Sequence, residues 1–479
     1  MTEVNRRKRC KIANEDIFGR LPDEVLHCIL SLLPTKYAAC TSVLSRRWRD
    51  EHRWTSALTN LDLDDTVMLY GKNKPRRDGK LRTPAECKAM FKKFVDRCFK
   101  LRRSVPHPMQ KFRLRLSGSY HSSRVNEWIV SAVRARVEEM IILAEDTEIR
   151  VFSCETLVVF KVSCHQIYFH VYPSTVSFPR LKILHLDCLS SVDDNACIEK
   201  VLSASPVLEE LKIEMEECEP RESLNVSSRS LKRLTIHFQP AYDYLDDDDL
   251  LAYRILTLDT PSLELLKLAD SASEELNILH KTFSLVEATV SLGHPPVLTK
   301  NFNDYAETLV GFFRMISDVR ILALSDLTME SLKDVHELDL PCFAKFPTFW
   351  YLTRLEVEAG VDKWLTLLHI LEHCASLEAL IFKKEYNQDS TDPQRRGPHG
   401  NAVLSHCLSS CLEMIEFKNF EGQLAEIEIV EYFLRNSRVL KKMTVRYERE
   451  IDNSKEDVIR RLLTCPKGSA YAYHIQFLP

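Results

Sequence analysis

Residues 208–214 read Leu-Glu-Glu-Leu-Lys-Ile-Glu, and residues 231–237 repeat the form as Leu-Lys-Arg-Leu-Thr-Ile-His. The shared frame puts an apolar residue at the first, fourth and sixth places. As a strand, such a run points those residues inward, while the third and fifth face the other way. The frame recurs at Leu181-Leu184-Leu186, Leu263-Leu266-Leu268, Val319-Leu322-Leu324 and Leu352-Leu355-Val357. It continues at Leu377-Leu380-Phe382, Leu412-Ile415-Phe417 and Leu440-Met443-Val445. Weaker copies stand at Lys111-Leu114-Leu116, Val137-Met140-Ile142, Cys154-Leu157-Val159 and Leu285-Ala288-Val290. From Cys154 onward successive starts lie 22 to 35 residues apart. One such strand cannot bury its apolar side, but stacked copies share a continuous core.

Self-similarity at this period is the mark of a leucine-rich-repeat solenoid. Residues 193–204, 305–316, 364–374 and 425–434 show helical spacing of apolar residues between the strands. The fold class is therefore α/β, with strand-plus-helix repeats stacked as a horseshoe and the helices on its convex side. Regular repeats often carry Asn or Cys three residues past the last consensus Leu. Here that place holds, among others, Ser271, Gly293, Gly360 and Glu385, so no asparagine ladder forms and the array is irregular. Residues 241–249 (acidic), 293–297 and 387–401 read as loops, and the acidic run lacks the ligand spacing and glycine of a calcium loop.

Ahead of the repeats, residues 16–54 read as three short helices. Pro22 suits a first helical position, and Asp23 and Glu24 complement the positive helix end. Val25, Leu26, Ile29, Leu30 and Leu33 recur at helical spacing, a stripe too wide for so small a unit to cover. Pro34 stops that helix, and Thr35 and Ser45 can cap the next two. The residue order in Leu21–Glu24, Ile29–Lys36 and Ser42–Trp48 closely resembles a plant F-box. That resemblance implies a docking surface for the Skp-type adaptor of a cullin-based ubiquitin ligase. It assigns the contact to Leu21, Pro22, Ile29, Leu30, Leu33, Pro34, Val43, Leu44, Ser45 and Trp48, some of which must also hold the bundle together. After Trp48 the chain departs from the usual pattern, with polar residues from Arg49 to Arg53 and the next Trp only at Trp54.

At the other end, residues 407–444 resemble the FBD region of many plant F-box proteins, in the order strand, Phe-x-Gly turn, helix ending in Phe-Leu-x-Asn, and closing strand. Residues 468–477 resemble that region's last strand. Such a segment would close an otherwise open end of the solenoid. The domain reading is a basic tail over 1–15, the F-box over 16–65, a connecting segment over 66–105, irregular repeats over 106–400 and the FBD region over 401–479.

Composition narrows the function. Formal net charge is −4, and no apolar run approaches the ~20 residues of a membrane-spanning helix. The 15 cysteines are scattered and never spaced Cys-x-x-Cys, which in a chain that reads as lacking a secretory signal suits reduced thiols of the nucleus or cytoplasm. Arg6–Lys11 offers a nuclear-import cluster or a solvated tail. Between Lys72 and Arg103 there are 13 Lys or Arg against three acids, but apolar residues such as Phe91 and Val95 sit at helical spacing among them. A wet helix face explains this better than a nucleic-acid patch. His406, Cys407 and Cys411 have no second ligand pair for a metal. Glycine-rich phosphate loops, nucleophile elbows and His-Glu-x-x-His helices are missing from the sequence. No cofactor is expected, and neither nucleic acid nor a membrane is an expected partner.

What remains is binding. The outward-facing places of the strands supply Glu210, Lys212, Arg233, His237, Arg354 and Glu356 as candidate target-binding residues. The expectation is a non-catalytic substrate receptor of an SCF-type ligase, partnered by a Skp-type adaptor, through it a cullin, and an unidentified target protein. The alternative is a non-degradative F-box scaffold or a protein-binding module without ligase function.

Overall fold

The computed structural model describes residues 21–41, 58–66, 82–103, 105–151, 153–169, 177–190, 195–218, 223–240, 254–271, 273–293, 302–338, 340–385, 405–447, 453–466, 468–469 and 474–478. The basic tail and the loops expected at 241–249 and 387–401 lie outside them, as does all of 293–297 except Gly293. The chain divides into two compact units, Met1–Cys164 and His165–Pro479. Among the described residues no helix is long and apolar enough to cross a membrane.

The first unit runs α1 (Asp23–Leu32), α2 (Thr35–Cys40), β1 (Asn60–Asp64), α3 (Pro84–Arg102), β2 (Lys111–Arg115), α4 (Ser122–Arg134) and β3 (Glu139–Val151). Strand β4 (Val159–Phe169) spans the division. β1, β2 and β3 pair side by side and parallel, with Leu63↔Leu114 and Leu114↔Ile142 in register. Helix α3 opens on a capping box, in which Thr83 Oγ1 accepts the Glu86 N–H at 3.3 Å and Glu86 accepts the Thr83 N–H at 3.0 Å. Its Phe91, Val95 and Phe99 are buried, and Lys93, Arg97 and Lys100 face solvent. Arg102 does not. Its buried guanidinium donates to the carbonyls of Val105 and His107, and burial lowers its pKa. Phe91 meets Tyr120 and Trp128 edge-on, at ring-centroid distances of 6.2 and 6.3 Å. Just past β1, the buried Asp65 carboxyl accepts the Ser117 N–H and hydroxyl (2.8 and 2.9 Å) and the Tyr120 hydroxyl (2.8 Å).

The second unit begins with β5 (Ile183–Ser190), α5 (Asn195–Ser203), β6 (Glu210–Cys218), β7 (Leu224–Ser227), β8 (Arg233–Pro240), β9 (Arg254–Asp259), β10 (Leu265–Asp270), β11 (Ser273–Ile278) and β12 (Glu287–Leu292). It continues with α6 (Phe302–Met315), β13 (Ile321–Leu324), α7 (Asp326–Glu337), β14 (Arg354–Ala359), α8 (Trp364–Glu372) and β15 (Ala379–Lys384). The last part holds α9 (His406–Ser410), β16 (Met414–Phe420), α10 (Leu424–Asn436), β17 (Lys442–Tyr447), α11 (Asn453–Thr464) and β18 (His474–Leu478). The repeat strands stack in the order β5-β6-β8-β10-β12-β13-β14-β15-β16-β17-β18. Their fourth places form one row through Leu211, Leu234, Leu266, Ala288, Leu322, Leu355, Leu380, Ile415 and Met443. Every one of them is at most 1% exposed. Burying a Leu of this kind is worth about 1.5–3 kcal/mol, which is why the register cannot slip.

The helices expected between strands are present as α5, α6, α8 and α10. The expectation that each repeat adds a helix needs correction. Strands β7, β9 and β11 stand where helices would, and pair as a second parallel sheet in the order β11-β9-β7. Their segments alternate buried and outward residues, as in Leu224, Asn225 and Val226, a period of two that no helix uses. α5 packs against β7 and α6 against β11, covering both edges of this small sheet.

The turns after the strands need partners for their backbone N–H groups, and with no asparagine ladder other side chains supply them. Asp270 accepts the Ser273 N–H at 3.0 Å, and Thr328 Oγ1 accepts the Leu292 N–H at 2.7 Å. Asp326 Oδ1 accepts both the Gly360 N–H at 2.9 Å and the Lys363 ammonium at 2.6 Å. Glu426 Oε2 accepts three in a row, from Glu421, Gly422 and Gln423 at 3.1, 2.7 and 2.9 Å. This turn needs Gly422, whose φ is +84°. Lys384 closes it by reaching Glu421 at 2.6 Å and Glu426 at 2.7 Å. In the last repeat Gly468 lies so close to the end of α10 that a Cβ would stand 2.1 Å from the Arg435 carbonyl oxygen, so only glycine fits.

Lys363 is 3% exposed, and Glu330 meets it at 2.9 Å as a second anion. Burial pulls its ammonium pKa down, but the two carboxylates raise it above the ordinary lysine value. Asp326 is pushed up by burial, yet hydrogen bonds with Glu385 and Lys363 hold it below the usual range. Glu385, hydrogen-bonded to Asp326 and partly buried, is pushed up to about 7. A carboxyl whose folded pKa lies above its unfolded one stabilises the fold fully below the unfolded value and loses that contribution as pH rises through the folded one. The urea midpoint of the wild type should therefore fall, relative to Glu385→Gln, between about pH 4.5 and pH 8, and the two proteins should converge below pH 4.5. Separately, Asp65→Ala strands the Ser117 and Tyr120 donors and should cost on the order of 3 kcal/mol, read as a lower urea midpoint by tryptophan fluorescence.

Candidate protein-docking surfaces

Helix α1 carries more apolar side chains than its own bundle can cover. At 100° per residue, Leu32, Val25, Ile29, Leu33, Leu26 and Leu30 follow one another around about 160° of arc. Burial follows that order. Leu32 is 78% exposed and Val25 42%, Ile29 and Leu33 are half-buried, and Leu26 and Leu30 are at most 1% exposed. The inner end of the arc packs with Ala38 of α2 into a small core flanked by Leu21, Ile29 and Leu33. The outer end is left bare, beside exposed Pro22 and Tyr37.

The residues assigned to docking by sequence therefore separate. Pro22 is exposed, Leu21, Ile29, Leu33 and Pro34 are half-buried, and Leu30 is a core residue of the bundle. Val43, Leu44, Ser45 and Trp48 lie outside the described residues. Sequence reasoning left out Leu32. Its signal was the second i, i+4, i+7 set, Val25-Ile29-Leu32, running one residue ahead of the inward-turned Leu26-Leu30-Leu33 set.

This helical piece is fixed to the strand that follows it. Thr35, expected as a helix cap, is 3% exposed, and its Oγ1 accepts the Asp62 N–H of β1 at 2.8 Å. Arg113 of β2 pairs with Asp62 at 3.7 Å. The partly buried Asp62 carboxyl is raised by desolvation, which the nearby Arg113 offsets only in part.

In the second unit the outward rows of the sheet hold the other candidates, and most are paired with each other. Glu210 accepts from His185 Nε2 at 2.6 Å and from Arg233 Nε at 2.8 Å. Partial burial pushes its carboxyl up, but these two bonds win and hold it below the ordinary value. Lys212 meets Glu214 at 2.7 Å, and His237 is exposed. Four strand steps away, roughly 19 Å along the sheet, Arg354 lies 3.7 Å from Glu356, which Lys418 approaches at 3.6 Å. Lys383 meets Glu358 at 2.6 Å, and Arg446 pairs with Glu416. The six candidates thus lie in two separate charged patches, each largely neutralised by pairs along and across the strands. Such pairs are worth at most about 1 kcal/mol apiece, so they leave the face open to exchange partners.

The three residues weighed for a metal point elsewhere. His406 Nδ1 bonds the Ser410 hydroxyl at 3.0 Å, while the buried Cys407 thiol donates to the Leu371 carbonyl and Cys411 to that of Ala375, both at 3.4 Å.

Comparison with known proteins gives three family matches. Residues 18–50 match the F-box domain, residues 125–343 match the leucine-rich repeats of FBD-associated F-box protein At5g56370, and residues 404–445 match the FBD region. F-box/LRR-repeat protein At3g59190 of Arabidopsis thaliana is 32% identical over 78% of this chain and 95% of its own length. F-box/LRR-repeat protein At3g59200 of the same plant is 29% identical, over 97% of this chain and 88% of the relative. F-box/FBD/LRR-repeat protein At1g78750 is 28% identical over 97% of each. With a bare-sided helix inside the F-box match and stacked leucine strands through the rest, the chain belongs to the plant F-box proteins with leucine-rich repeats and an FBD region.

Proposed function

We propose that this chain is the target-recruiting subunit of an SCF-type ubiquitin ligase, acting in the nucleus, the cytoplasm or both. A Skp-type adaptor covers the outer arc of α1, and through it a cullin joins the assembly. The repeats hold a target protein. The chain itself contributes no catalytic group, and a separate ubiquitin-charged enzyme makes the new bond. The gain is proximity, since a target lysine tethered near a thioester reacts at a raised effective concentration. One observation carries this reading: within the F-box match, Leu32 and Val25 are exposed while Leu26 and Leu30 of the same helix are sealed. Bare apolar surface of that kind marks a site of protein contact. The hydrogen bond between Thr35 and Asp62 supports it further, because it keeps the docking helices in a fixed orientation on β1.

The test is binding of the purified full chain to a Skp-type adaptor. Leu32→Glu and Val25→Glu should each weaken it by tenfold or more with unchanged circular dichroism, since exposed positions tolerate charge. Wild-type failure to bind, or intact binding by the double variant, would sink the proposal. Leu30→Ala should act differently, lowering stability by about 2–4 kcal/mol through a cavity in the bundle. Adaptor binding with no ubiquitin transfer to any captured protein in a reconstituted reaction would mark a scaffold instead.

A further inference from the structure

Two strands of the second unit, β12 and β14, begin beside exposed aromatic residues. Phe283 is 81% exposed, Trp350 64% and Tyr351 61%. Phe283 stands four residues before β12, and Trp350 and Tyr351 stand three or four before β14, with β13 between them. Backbone hydrogen bonds fix that adjacency. The Arg320 N–H donates to the Val286 carbonyl at 2.9 Å, and the Thr353 N–H donates to the Arg320 carbonyl at 2.9 Å. The two aromatic groups are thus two strand spacings apart, about 10 Å. Val286, 45% exposed, and Leu279, 57% exposed, stand within four residues of Phe283 in the chain. Together the three rings present on the order of 400 Å² of apolar surface, the size at which an exposed patch marks an interaction site.

The charge around the rings is one-sided. Residues 279–286, 314–320 and 345–353, which lead into the three strands, contain Lys281, Arg314, Arg320 and Lys345 against a single acid, Asp318. Asp318 is already held by Lys281 at 2.9 Å, and that same ammonium lies 5.7 Å from the centre of the Phe283 ring. Arg320 and Lys345 are exposed and make no ion pair among the described residues. An aromatic ledge flanked by unpaired cations fits a segment that alternates apolar and acidic side chains. Trp, Tyr and Arg are also the residues that most often dominate binding at protein interfaces.

We propose that this edge, at the starts of β12, β13 and β14, captures an acidic, aromatic-rich segment of a target protein. It deepens the reading that the repeats hold a target, and it is separate from the charged patches on the outward rows.

The experiment uses the purified full chain and a fluorescein-labelled 12-residue peptide alternating Phe or Leu with Asp or Glu. A control peptide carries Asn and Gln in place of the acids. The acidic peptide should bind at least about tenfold tighter than the amide control and weaken as salt is raised. Trp350→Ser with Tyr351→Ser should cost about tenfold or more, and Arg320→Glu should weaken the acidic peptide but not the control. Unchanged circular dichroism and an unchanged urea midpoint show that the variants are folded. Equal binding of both peptides, no saturable binding of the acidic one, or indifference to the Trp350/Tyr351 double variant would overturn the inference. So would a concentration-dependent dimer that the double variant abolishes, since a second copy would then be the occupant. Loss of adaptor binding alone strikes the ligase proposal and leaves this one standing.

Discussion

The row of residues from Leu211 to Met443 is closed on one side by the layer of helices and the small second sheet, and on the other by its own backbone. No strand in that row could hide its leucine alone. Each is sealed by the strands before and after it, so the array is stable only as a stack. This mutual cover fixes the register. The register in turn fixes which side chains stand on the outward rows and which turns crowd the edges. Every outward surface of the second unit inherits its spacing from that constraint.

The irregularity of the repeats is handled at the edges. Where a regular array would tie each turn with the same side chain, this one uses a different solution nearly every time. Asp270, Thr328, Asp326 and Glu426 each meet loop N–H groups, and Lys363 and Lys384 neutralise the carboxylates buried with them. Breaking one member of such a buried set leaves an uncompensated charge, which costs far more than the intact pair contributes. The same economy appears in the first unit at Asp65.

The repeat frame was legible because its signal is hydrophobic and periodic. All nine strong copies lie where the sequence puts them, and α5, α6, α8 and α10 match the expected helices within a few residues. Helix α7 went unread although Ser325 caps it and Met329, Leu332 and Val335 keep a helical period, because it begins two residues after β13 ends. The second sheet was hidden by the shortness of its strands, since four to six residues carry too little periodicity to compete with a helix reading. Helix α1 was legible as an amphipathic stripe, but its division into a sealed and a bare side depends on what α2 covers, which is tertiary information. Likewise, Glu210 and Arg233 were readable as outward charges and not as each other's partners, because cross-strand pairing needs the register.

Lys363 and Lys384 have a chemical consequence. An amine attacks a thioester only as the free base and only when its lone pair can reach the carbonyl carbon. Both ammonium groups are buried, gripped by two carboxylates each, and held protonated above the ordinary lysine value. They are withdrawn from acylation, so a reagent that modifies this chain's lysines in its native state should leave these two positions silent.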